Sequence, residues 1–69
     1  MKYLDYLIDF LELDSYIYNI LIDNNIFKIS DLYILNRKML KSFGLNDRCI
    51  SQIIIKLELL GLDLNGKKY

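Results

Sequence analysis

Apolar positions along this chain recur at three- and four-residue spacings, and nothing alternates with period two for more than a few residues. Tyr3, Leu4, Leu7, Ile8 and Leu11 mark one face of a first helix, with Asp5, Asp9 and Glu12 on the other side. Asp14 or Ser15 is placed to cap a second helix, whose Ile17, Ile20, Leu21 and Tyr16 face inward. The Asp23-Asn24-Asn25 cluster ends it, because short polar side chains compete with the helical backbone and tolerate turn geometry. Ser30 caps a short helix through Leu32 and Leu35. Asn36 caps another over residues 37–43, and Gly44 stands where a left-handed C-terminal residue belongs. Asn46 or Asp47 opens the last and longest helix, which runs to Gly61, with Leu62 and Leu64 folding back. The pattern predicts an all-α fold: a compact single-domain bundle of about five short helices with a long C-terminal helix, over residues 1–64. Residues 65–69 read as a flexible tail.

The last helix carries the clearest stripe. Cys49, Ile50, Ile53, Ile54, Leu57 and Leu60 share one broad face, while Arg48, Ser51, Gln52, Lys56 and Glu58 lie elsewhere. Ile55 and Leu59 fall outside the stripe, one turn apart. They are either contact residues for a partner or core residues at a wide helix contact.

Composition narrows the chemistry. With 69 residues there is room for one small domain and none for a second core or a large catalytic cleft. Apolar residues at 54% and charged residues at 26% are globular proportions. Leucine and isoleucine supply 25 positions, and Pro, His, Trp, Ala, Val and Thr are absent, a bias that suits an AT-rich genome. Without histidine, nucleophile–histidine catalysis and histidine-ligated metals are excluded. Carboxylates sit on amphipathic surfaces rather than facing each other across a pocket, and Gly44, Gly61 and Gly66 are isolated, so no phosphate loop forms. Asp23-Asn24-Asn25 is too short for an oxygen-only metal loop. No enzymatic activity, cofactor, metal or small-molecule substrate is expected. The lone Cys49 cannot form an internal disulfide, lies on the apolar stripe, and points to an intracellular, reducing compartment, cytoplasmic or nuclear. The uncharged apolar run at 15–22 is well below the roughly 20 residues that span a bilayer, so no membrane partner is expected. Six tyrosines could suggest base stacking, but five lie in the acidic half, which favours packing roles.

Net charge is zero but unevenly placed. Residues 1–35 carry six acids and two bases, and residues 36–69 carry seven bases and three acids, so the halves stand at −4 and +4. Held on different surfaces, these halves attract head to tail, between two copies or a copy and a partner. The ordinary alternative is a chance fluctuation that solvates the surface.

The stretch Leu35-Asn36-Arg37-Lys38-Met39-Leu40-Lys41-Ser42-Phe43-Gly44-Leu45 resembles the signature of the sterile alpha motif (SAM) domain. That pattern is a Leu, a capping residue, three polar residues, Leu, two polar residues, an apolar residue, Gly and an aliphatic. Leu7-Ile8 stand where that family has its Trp-Leu pair, and Leu13-Asp14-Ser15-Tyr16 resembles its start of helix two. Residues 26–32 resemble the linker into helix three, and Ile50, Ile53, Ile54 and Leu57 the long fifth helix. The resemblance spans roughly residues 4–60. Ile20 replaces a usual Phe, one extra residue sits near Asn24-Asn25, and the loop after Gly44 is short. The segment 11–64 is also similar to the C-terminal domain of the bacterial RNA polymerase alpha subunit. There Tyr16 takes the place of the arginine that enters the DNA minor groove, while Asn19, Lys41 and Arg48 match polar or basic positions.

The SAM resemblance implies a non-enzymatic protein–protein interaction or oligomerisation module, an adaptor that binds itself or another helical domain. A mid-region surface on one copy, carried over to Asp23, Asp31 and Tyr33, would meet an end-helix surface on the next. The latter falls on Leu45, Asn46, Asp47, Arg48 and Gln52, with Lys56 further along. The alternative is a small nucleic-acid-binding domain, making a polymerase-like DNA contact or SAM-type RNA hairpin contact through Arg37, Lys38, Lys41 and Arg48. A structural subunit of a viral or other large assembly also suits the composition.

Overall fold

In a computed structural model that describes residues 2–68, two 3-10 helices (Lys2–Asp5 and Ile8–Leu11) precede four α-helices and a minimal hairpin. The α-helices are α1 (Ser15–Asp23), α2 (Ile29–Tyr33), α3 (Arg37–Ser42) and α4 (Asp47–Glu58). Strands β1 (Leu62–Asp63) and β2 (Lys67–Lys68) close the chain, and Tyr69, the end of the expected tail, lies outside the described residues. The result is a compact, mostly helical domain measuring 28 × 19 × 17 Å.

Several boundaries follow directly from side-chain chemistry. The Asn36 amide oxygen accepts from the Met39 N–H at 2.8 Å and the Asn46 oxygen from the Cys49 N–H at 2.9 Å. Each satisfies a backbone donor that the first helical turn leaves without a partner. Gly44 adopts φ +101°, a region closed to ordinary side chains, and the chain then drops Leu45 into the core. At the end of α1, Asn24 Nδ2 donates to the Ile20 carbonyl at 2.8 Å and Asn25 takes φ +63°. These are the positions where the Asp-Asn-Asn cluster was expected to stop a helix.

The first helix expected over residues 3–11 is instead broken into two 3-10 turns. Leu7 is extended and forms an isolated antiparallel bridge with Lys28. The Ile8 N–H donates to the Phe27 carbonyl, and the Ile29 N–H donates to the Tyr6 carbonyl, both at 2.9 Å. Backbone bonds to a distant segment thus replace those that would have continued the helix. Ile8 and Leu11 are buried and Leu4 packs partly against the core as expected, but Leu7, expected on the same face, is 54% exposed because its extended backbone bridges to Lys28. Tyr16, expected inward, is 61% exposed, while Ile17 and Leu21 carry the buried face of α1. The start of α2 also differs: Lys28 precedes it, Ser30 lies inside it, and the Asp31 carboxylate accepts from the Lys28 N–H at 3.1 Å.

α4 buries Ile50, Ile53 and Leu57, with Cys49, Ile54 and Leu60 packed partly against the core. It stops at Glu58, and residues 59–61 turn toward Leu62 and Leu64, both buried. Asn65 (φ +63°) and Gly66 (φ +73°) form the hairpin turn, and their N–H groups donate to the carbonyls of Leu35 and Tyr33 at 2.9 and 2.8 Å. The segment 65–68 is therefore bonded to the end of α2 and the residues after it. All buried residues among those described are apolar. No helix among the described residues is long and apolar enough to cross a membrane.

Candidate functional site

The acids of the mid-region have different surroundings. Asp23 is the last residue of α1, exposed, with no base in the final turn. A carboxylate there opposes the helix dipole by about 0.3–1 kcal/mol, so its position does nothing for α1 itself. Asp31 is half-buried and engaged as the N-terminal acceptor of α2. Tyr33 is 8% exposed, so a partner would meet little of its side chain.

At the start of α4 a similar sorting appears. Leu45 is 2% exposed and belongs to the core, and Asn46 is occupied as the helix cap. Asp47 pairs with Lys41 at 3.0 Å, but both side chains are more than half exposed, so this pair adds little stability. Gln52 is tied to residue 14 twice: its Oε1 accepts from the Asp14 N–H at 2.9 Å and its Nε2 donates to the Asp14 carboxylate at 3.2 Å. Asp14 thus holds α4 rather than capping its own helix. Arg48 is exposed and forms no ion pair among the described residues.

The single ion pair described, Lys41–Asp47, lies wholly within the second half of the chain. None of the six acids of residues 1–35 pairs with a base among the described residues. One place does bring the halves' charges near each other. Glu12 and Lys56 line the same cleft of about 170 Å³, with Phe10, Leu11, Leu59 and Leu60, without pairing. Leu59 is 76% exposed and Ile55, one turn earlier, 58%, which excludes the core role for both.

Sequence reasoning passed over Phe10. It is 50% exposed and stacks with Tyr3 (centroids 5.9 Å) and edge-to-face with Tyr6 (4.8 Å). The signal was present as three aromatics spaced at i, i+3 and i+7. A second cleft, of about 260 Å³, is lined by Asp9, Glu12, Leu13, Ser15 and Tyr18. There the Tyr18 hydroxyl donates to the Asp9 carboxylate at 3.2–3.3 Å. Desolvation, that hydrogen bond and the carboxylate's charge raise the Tyr18 pKa above its ordinary value of 10.0.

Of the bases proposed for nucleic acid, Arg37 and Lys38 are exposed at the start of α3, and Lys41 is the one paired with Asp47. Arg37 lines a third cleft, of about 210 Å³, with Ile54, Asp63, Leu64, Asn65 and Lys67. Comparison with protein-family models, with curated proteins and with solved structures finds no match for this chain.

Proposed function

We propose that this chain is a non-enzymatic protein-interaction module that docks head to tail onto itself or another helical domain. The observation that carries this reading is the uneven charge of the two halves, −4 and +4, with no ion pair among the described residues closing one onto the other. Opposite charges that stay unsatisfied within one molecule are available to a neighbour. Asp23 is the acid on one side and Arg48 the base on the other; Lys56, carried over to the same side by the resemblance, lies instead on the cleft with Glu12. The SAM resemblance supplies the arrangement, with the two N-terminal 3-10 turns standing for the family's first helix and α4 for its long last one.

Light scattering and sedimentation at low and high salt test it. Arg48→Glu and Asp23→Lys should each weaken association, and mixing the two variants should restore it, because each leaves the other a complementary surface. High salt should weaken the wild-type contact, because exposed charges are screened beyond about 10 Å at 0.1 M. Association untouched by both reversals overturns the reading. A nucleic-acid contact has weaker support: Arg37 and Lys67 share a cleft with Asn65, but the Asp63 carboxylate lines it too and opposes a phosphate. It requires binding of duplex DNA or hairpin RNA that falls steeply with salt.

A further inference from the structure

We propose that the cleft between Phe10 and Leu59 is the contact surface of a two-fold homodimer, separate from the charged surfaces above. Leu59 is the most exposed large hydrophobic among the described residues at 76%, and Phe10 across the cleft is 50% exposed. Ile55 and the Tyr3–Tyr6–Phe10 aromatic cluster extend the apolar surface on either side. A contiguous apolar surface of this kind on a small domain marks a contact site.

Self-complementarity identifies the occupant. An isologous contact needs a surface that matches itself after a half-turn. This one holds a projecting Leu59 beside a cleft of about 170 Å³. That is room for one large side chain, since an apolar cavity of about 150 Å³ accepts benzene. It also holds one acid and one base, Glu12 and Lys56, on the same cleft without an ion pair between them. A half-turn brings Glu12 of each copy against Lys56 of the other, so both charges find partners twice over while Leu59 of each copy covers Phe10 of its mate. Another protein would need to supply this pairing by coincidence; a second copy supplies it by symmetry.

Size sets the strength. A tenth of this chain's 4355 Å² would be roughly 440 Å², below the roughly 800 Å² per partner of standard interfaces, so a contact confined to one patch of this surface is small. The dimer is therefore weak and reversible.

Sedimentation velocity of the full chain from about 10 μM to about 1 mM covers the range a weak contact needs. In Arg48→Glu, where the head-to-tail contact is blocked, the expected result is a monomer–dimer equilibrium that stops at two. Leu59→Gln should weaken it by at least tenfold with an unchanged circular dichroism spectrum, since the residue is already exposed and each substitution acts twice in a two-fold contact. Glu12→Lys and Lys56→Glu should each weaken it severalfold, and the double exchange should restore it. Arg48→Glu should leave it intact, which separates this contact from the head-to-tail one. A monomer throughout the range overturns the proposal, and so does growth past the dimer through this surface. Loss of the dimer in Arg48→Glu but not in Leu59→Gln also overturns it and leaves the charged contact standing.

Discussion

Replacing Asp31 tests whether a five-residue helix owes its start to one carboxylate. Its Oδ2 accepts from the Lys28 N–H at 3.1 Å and from the Phe27 N–H at 3.4 Å. The longer contact is at the edge of hydrogen-bonding range, so one full bond is counted. Losing such a cap acceptor costs about 0.5–2 kcal/mol. The negative charge in the first turn contributes about 0.3–1 kcal/mol more, toward the lower end for a partly exposed group. Asp31→Ala should therefore lower stability by about 1–1.5 kcal/mol, and Asp31→Asn, which keeps an acceptor oxygen, by about 0.5 kcal/mol. In a domain of this size each kcal/mol moves Tm by about 4–8 °C. Urea melts followed by circular dichroism measure both variants, with an unchanged m-value as the sign that only stability moved. Asp31→Ala within about 0.3 kcal/mol of wild type, or Asn as damaging as Ala, would refute the capping account. Asp31→Lys is accordingly a poor probe of docking, because it removes the cap and sets a cation at the helix start; Asp23→Lys is the cleaner choice.

Gly44→Ala meets no heavy atom within 4 Å, so its cost comes from backbone strain at φ +101° alone. It should lose about 1–2 kcal/mol in the same melts, and a neutral result would contradict the left-handed stop. Ile53→Ala, fully buried, should lose about 2–5 kcal/mol, whereas Ile55→Ala at 58% exposure should stay within about 0.5 kcal/mol at monomeric concentrations. Equal losses would mean α4 is rotated from the orientation described. Folding raises the Tyr18 pKa above 10.0, so the folded state holds that proton more tightly. Its contribution is complete below pH 10 and fades as pH climbs through the raised value. The ultraviolet titration of wild type minus Tyr18→Phe should have its midpoint above 10.0, and a midpoint at or below 10.0 would refute the Asp9 contact.

The parts of the fold that were legible are those decided within one helical turn. Asn36, Asn46 and Gly44 act through neighbours three or four residues away, and the α4 stripe repeats often enough to fix a face. The shape of the N-terminal segment is not legible locally, because Ile8 bonds to Phe27 and Ile29 to Tyr6, about twenty residues away in sequence, around the Leu7–Lys28 bridge. The hairpin escaped for a different reason. Strands of two residues cannot display a period of two, although Asn65-Gly66, both at positive φ, is the dipeptide that tight hairpin turns favour. For the candidate surfaces, sequence spacing located Ile55 and Leu59 but could not tell an exposed face from a wide core contact. Nor could it foresee that Gln52 and Asp31 would be occupied inside the molecule, since each bond depends on a partner's placement.

α2 is far too short to persist alone, where helices below about 12 residues are marginal. Its entry is bonded to Tyr6 and its exit region to Asn65 and Gly66, so segments early and late in the domain both clamp its middle. Trimming either extremity would release that middle stretch. The domain should therefore melt as one unit with no stable half.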